Sequence, residues 1–209
     1  QTNYASWKFR KIYTYDHATG EVLQGSPVDN SGYQRNFVKS YIKTYATGYN
    51  SNYANLTLRG GDCTNFISQC LYAGGLTFIN PPTTVAESKE EARQQSAENW
   101  YYVSAYNGLS YNCISQTWSL ATKSMNHWGN RSNSAIGRAF EYVYYANPQN
   151  LLADFDAIYQ NMKPGDLMYQ RLQNITGSNH AMIINDVKDG DIFYSQHTDN
   201  AYNRSLKSL

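Results

Sequence analysis

The chain is short of charge of either sign. Seventeen Lys and Arg stand against sixteen Asp and Glu, a formal net charge of +1, and charged residues fill only 16% of its 209 positions. That balance offers no basic face for nucleic acid or for an anionic membrane surface. No apolar run reaches the length of a membrane span, and Gln1-Thr2-Asn3 does not open a signal peptide. Cysteine is scarce as well. Three residues cannot all pair, so a disulfide framework is not what holds the fold. A chain of this length buries a core without such staples, as one domain or as one domain with an N-terminal appendage. The four histidines are scattered, without the spacing of a zinc site. A calcium loop would need carboxylates at alternating positions around a central glycine. Only Asp29-Asn30-Ser31-Gly32 approaches that pattern, and faintly. No metal or cofactor is expected.

Aromatic residues, by contrast, are abundant: 20 Tyr and 4 Trp. With much Asn and Ser, they suit an exported protein whose wet, aromatic surface stacks on sugars or touches polar polymers. Any single Tyr still reads first as an ordinary half-buried aromatic.

Chemistry concentrates in Gly60-Gly61-Asp62-Cys63-Thr64-Asn65-Phe66-Ile67-Ser68-Gln69-Cys70. Apolar residues at Phe66, Ile67, Cys70 and Leu71 suit one face of a helix that Gly74-Gly75 stops. The helix begins beside Cys63, with Asp62 or Thr64 as cap. A helix N-terminus favours thiolate, and a neighbouring N–H can serve as an oxyanion donor. Cys63 therefore reads either as a nucleophile or as a buried structural thiol. Cys70, one heptad on, falls on the apolar face and reads as core. In an extracellular protein Cys70 and Cys113 could pair and leave Cys63 free.

Residues 1–30 read as irregular or strand-like, either a connector or a strand laid on the domain formed by residues 31–209. Within them, residues 8–14 alternate weakly, and turns fall at 16–20 and 25–27. His17 sits in the first turn as a solvated histidine. Residues 33–47 form a helix, with Tyr33, Phe37, Tyr41 and Tyr45 on one stripe. The polar loop at 50–59 could bring a Tyr or Asn to an oxyanion. Residues 76–133 are the least regular, with a strand at 100–103 and a short helix at 115–128. His127 there reads as a surface or satisfied histidine. Helices are expected at 134–145 and 151–162, and strands at 167–172, 180–187 and 192–198, the last two joined by a hairpin at Lys188-Asp189-Gly190-Asp191. Helices followed by an antiparallel meander make an α+β domain.

The hairpin makes a geometric claim. With Asp189-Gly190 as its two-residue loop, position 180 pairs with 199, and Ser195, His197 and Asp199 share the side of His180. A shift of one residue would put Gln196 and Thr198 there instead. A thiol at a helix start, a histidine on a sheet and a third polar group form the cysteine-hydrolase arrangement. A satisfied strand histidine is the bland alternative for His180.

The stretch Gly61 to Gln69 resembles the putative amidase domain family of Gram-positive bacteria and their phages. That family is similar to NlpC/P60 and CHAP cell-wall hydrolases, within the papain-like superfamily. The Tyr-rich helix, Leu71-Tyr72-Ala73-Gly74-Gly75 and Trp100-Tyr101-Tyr102 match too. So do Gly165-Asp166-Leu167, His180-Ala181-Met182-Ile183-Ile184 and Tyr194-Ser195-Gln196-His197-Thr198. The similarity spans about residues 33–200. It implies a papain-like, NlpC/P60-like α+β fold with the cysteine helix packed on a small antiparallel sheet. It implies Cys63 as nucleophile and His180 as base, then acid. For the third role His197 comes first and Asp199 second, with Asp62 fixing the loop. The implied substrate is peptidoglycan, at the cell wall or outside the cell. The reaction would be that of an N-acetylmuramoyl-L-alanine amidase or an endopeptidase. A papain-like acyltransferase or transglutaminase, and a wall-binding module with an idle cysteine, remain the alternatives.

Overall fold

The computed structural model describes residues 4–14, 33–84, 86–87, 89, 96–103, 113–129, 138–145, 148–172 and 179–208; of 4–14, 129, 138–145, 148 and 171–172 it describes the backbone alone. His17, the turns at 16–20 and 25–27, and Asp29-Asn30-Ser31-Gly32 lie outside the described residues.

Order along the chain is mixed. The strand β1 (Tyr4–Thr14) comes first, then α1 (Arg35–Tyr45) and α2 (Cys63–Ala73). Short strands β2 (Tyr102–Val103) and β3 (Cys113–Ile114) pair with each other. Then come α3 (Gln116–Ser119), α4 (Ala121–Gly129) and β4 (Arg138–Tyr145). Two further helices, α5 (Pro148–Ala153) and α6 (Phe155–Asn161), precede the meander of β5 (Leu167–Leu172), β6 (His180–Lys188), β7 (Asp191–Gln196) and β8 (Ala201–Ser205). The main sheet has the order β4-β1-β5-β6-β7-β8, and each neighbouring pair is antiparallel. The fold is α+β. Among the described residues no helix is long and apolar enough to cross a membrane.

Alternation along the central strands sends successive residues to opposite faces. Leu167, Tyr169, Ala181 and Ile183 pack with α1, α2 and the Trp100–Trp118–Trp128 cluster. Met168, Met182, Ile184, Ile192 and Tyr194 pack with Leu151, Phe155 and Ile158 of α5 and α6. The sheet is thus covered on both sides. Its first face carries α2, whose residues Cys63 to Leu71 are all buried.

Three expectations change. Residues 138–145 form a strand, not the end of a helix: Arg-Ala-Phe-Glu-Tyr-Val-Tyr-Tyr is rich in aromatic and β-branched residues, and it pairs along its length with β1. Residues 134–137 lie outside the described residues. The expected helix at 151–162 is broken at Asp154 into α5 and α6, though Leu151, Phe155, Ile158 and Met162 still form the buried stripe. The expected helix at 115–128 is broken at Leu120, which is extended; Ser115 caps its first part by accepting the Trp118 N–H. All three cysteines are free thiols, so Cys70 and Cys113 do not pair, and Cys70 is core as expected.

Candidate active site

Cys63 is the first residue of α2, and Phe66 donates its N–H to the Asp62 carbonyl at 2.9 Å to start the helix. Asp62 occupies the cap position without capping. Its carboxylate turns back into the preceding loop. Oδ1 accepts the Leu56 N–H and the Asn65 side-chain amide, both at 2.8 Å, and Oδ2 meets His197 Nδ1 at 2.6 Å.

The polar letters of the motif are spent on such tethers. Asn65 also donates to the Ala54 carbonyl at 2.8 Å and accepts the Trp118 indole N–H at 2.8 Å. Ser68 donates to the Trp118 carbonyl, and the Trp100 indole donates to Ser68. Gln69 accepts from the Tyr41 hydroxyl at 2.7 Å, and Asn50 donates to that same hydroxyl. Buried polar groups are tolerable when hydrogen-bonded. Here the bonds fasten the 50–61 loop, α1 and α3 around one helix start.

His180, at the beginning of β6, is hydrogen-bonded to Cys63. Burial by itself would push the Cys63 thiol up. The hydrogen bond and charge of His180 outweigh that, with help from the Thr64 hydroxyl and the Ala181 backbone, and the thiol lies below its ordinary value. His180 shows the converse. Burial opposes its charged form, but the bond to Cys63, the Cys63 charge, the Gln196 side chain and the Asp199 charge leave it above the ordinary histidine value. A lowered thiol facing a raised imidazole shifts the pair toward the thiolate–imidazolium form.

The hairpin loop is Asp189-Gly190, both at positive φ, and Lys188 pairs with Asp191. The register then differs from expectation. Asn185 is an extra residue on β6: Asp186 faces Phe193, yet Ile184 faces Tyr194. Asn185 accepts the Ser195 hydroxyl at 2.8 Å and donates to Asn203 Oδ1 at 2.7 Å, so three strands hold the bulge. The one-residue slip brings Gln196, not His197, to His180. Gln196 Nε2 donates to the Asp199 carbonyl at 3.0 Å, which leaves its Oε1 to accept from the imidazole.

His197 goes elsewhere. One ring nitrogen meets Asp62 and the other donates to the Tyr45 carbonyl at 2.8 Å, while the ring stacks on Phe66 with centroids 4.1 Å apart. Asp199 keeps its carboxylate in solvent, its side chain 80% exposed and 3.7 Å from Arg204, and reaches His180 as a charge. His127 is buried, with Nδ1 donating to the Ala97 carbonyl at 2.7 Å. Cys63, His180 and Gln196 therefore converge, while Asp62 and His197 form a second, adjoining pair. Only the Asn185 bulge separates the two assignments of the third position. Asn185 directly follows Ala181-Met182-Ile183-Ile184, and its bulge is set by residues on two other strands.

With this geometry established, comparison with known proteins adds a family. The Putative amidase domain family matches residues 32–209. The chain belongs to that family. No curated protein and no solved structure matches the chain. Membership in the amidase family points to amide-bond hydrolysis, and the matched region contains all of α2, β6 and β7.

Proposed function

We propose that the protein is a cysteine-dependent amidase acting on an amide bond of peptidoglycan, outside the cell or in the wall of a Gram-positive bacterium. The observation that carries the mechanism is the Cys63–His180 hydrogen bond, with the thiol lowered and the imidazole raised. Family membership supports the amide bond, and the resemblance of the Gly61–Gln69 motif to cell-wall hydrolases is what suggests the substrate.

In this reading the Cys63 thiolate attacks the amide carbonyl, with the first N–H groups of α2 beside the oxygen that becomes negative. His180 gives its proton to the leaving amine as the C–N bond breaks, forming a thioester. Water then attacks the thioester. His180 takes a proton from it, the C–S bond breaks, and acid and free enzyme are restored. Gln196 holds the imidazole in the orientation that both proton transfers need. The stabilised ion pair gives reactivity a bell-shaped dependence on pH. It rises as Cys63 ionises below the ordinary thiol range and falls where His180 loses its proton, above the ordinary histidine range.

Mass spectrometry of fragments released from purified peptidoglycan tests the proposal, with wild type beside Cys63→Ser. Stem peptides with a free L-alanine amine, absent with Cys63→Ser, are the result expected of a muramoyl amidase. Cleavage inside the stem or cross-bridge keeps the mechanism and makes the enzyme an endopeptidase. Release that persists in Cys63→Ser removes the thiol from the chemistry.

A further inference from the structure

Three successive residues at the end of β7 reach three different parts of the site. Gln196 touches His180. His197 touches the Asp62 carboxylate. Thr198 accepts the Asp62 backbone N–H on its hydroxyl at 2.7 Å. Asp62 immediately precedes Cys63. One short stretch thus grips both the base and the loop that carries the thiol.

We infer that residues 196–198 set the spacing between Cys63 and His180, and that His197 is a positioning residue acting on Cys63 through Asp62. The inference rests on the Cys63–His180 reading and deepens it.

The grip is built from several independent contacts. The Tyr45 carbonyl can only accept, so the facing Nε2 of His197 carries a proton. Nδ1 lies 2.6 Å from the Asp62 carboxylate, so the ring bridges the two neighbours. Asp62 and His197 are each 1% exposed, in surroundings where a polar contact is strong and its loss is felt. Phe66 lies flat under the ring, and Tyr49 tilts against it at 4.8 Å. Gly61 belongs to the same contact. Its φ is +115°, and a Cβ there would stand 3.1 Å from the Thr198 hydroxyl, so the loop approaches the turn as closely as a glycine permits.

The turn is itself held in an unfavoured form. Thr198 and Asp199 have φ of 57° and 69°. Left-handed backbone is a genuine outlier for a β-branched residue. Such a conformation persists where its surroundings over-determine it. The bonds of Thr198 to Asp62 and of Gln196 to the Asp199 carbonyl supply that constraint.

The test uses the full chain and needs no substrate. The rate of Cys63 alkylation by iodoacetamide is followed across pH, with the site assigned by peptide mapping because Cys70 and Cys113 are free thiols as well. His197→Phe keeps a ring on Phe66 and removes both ring nitrogens. His197→Asn restores a donor near the Nδ1 position. The expected result is an alkylation profile displaced toward alkaline pH in His197→Phe, the thiolate fraction falling about tenfold for each unit of displacement. His197→Asn is expected to recover most of the wild-type profile. A folded His197→Phe that superimposes on wild type overturns the role, as does a His197→Asn no better than His197→Phe. Should His197→Phe not fold, Thr198→Val decides at an exposed position. A displacement in the same direction supports the role, and an unchanged profile overturns it. A wild-type protein with an ordinary alkaline thiol profile would remove the Cys63–His180 pair itself, and the inference with it.

Discussion

The two faces of the sheet are built from different materials. On one, α2 buries Asp62, Thr64, Asn65, Ser68 and Gln69 beside apolar residues, with His197 stacked at its start. On the other, Leu151, Phe155, Ile158, Met182, Ile184 and Ile192 meet as a cluster of buried apolar side chains. The second face is ordinary apolar burial, roughly 25 cal/mol per Å² of surface removed from water. The first gives up some of that return to place hydrogen bonds around one thiol. Paired buried charges are weak evidence of stability, since desolvation offsets their attraction. Their value here is direction: each bond fixes where the 50–61 loop, the helix start and the β7–β8 turn sit relative to each other.

If that division holds, damage to the two faces should be distinguishable. The largest effect expected on reactivity comes from His180→Gln. Removing the imidazole leaves burial opposed only by the Thr64 hydroxyl and the Ala181 backbone, so the Cys63 thiol rises. The pH linkage has a definite sign. Cys63 is lowered in the folded state, so its contribution to stability is present above its unfolded value and is lost as pH falls through the folded one. His180 is raised, so its contribution is present below its unfolded value and is lost as pH rises through the folded one. His180→Gln should abolish the low-pH alkylation of Cys63 and shift reactivity to alkaline pH. Chemical denaturation at several pH values should show the loss of the stability maximum between those limits. A mutant thiol that stays reactive in acid would mean the helix start, not His180, holds the thiolate.

How far this division could be read beforehand varies with the range of the interactions that decide it. The α2 start was legible because its signals are local: a glycine loop, a cap-type residue and an apolar period within a dozen positions. The His180 strand and the Asp189-Gly190 turn were legible for the same reason. Asn185 was not. Whether it stacks in register or bulges depends on Ser195 and Asn203, which lie on two other strands. That one residue decides whether Gln196 or His197 faces His180. The strand at 138–145 was misread because a short aromatic run fits either period, and a partner more than a hundred residues away, β1, settles it. Asp62 was legible as a loop-fixing residue from its place before the thiol. Its bond to His197 joins positions 135 apart and had no local signal.

A second comparison tests the apolar face. Ile158 on α6 is buried against that side of the sheet and has no contact with the polar tethers among the described residues. Ile158→Ala should cost about 2–5 kcal/mol, the usual range for such a truncation. The change would be read from the denaturation midpoint. The Cys63 alkylation profile of the remaining folded protein should match wild type. A displaced profile would show that packing on the far side also sets the thiol, and the faces would have to be treated as one unit.

The smallest expected effect sharpens the same distinction at the surface. Lys39 on α1 meets Asp186 on β6 at 3.2 Å, and Asp186 also meets Lys188 at 3.2 Å. The pair ties the helix beside α2 to the strand that begins with His180, so by position alone it resembles the buried tethers. It differs in exposure: the Lys39 side chain is 43% exposed and that of Asp186 22%. Water and salt screen such a pair, and Lys188 remains to compensate the carboxylate, so Lys39→Ala should cost no more than about 1 kcal/mol. Added salt should shrink even that difference. Neither change should move the Cys63 profile. A larger loss, or a displaced profile, would mean that the α1–β6 contact transmits to His180 despite its solvent exposure. Orientation of the base would then depend on the outer layer of charge as well as on Gln196.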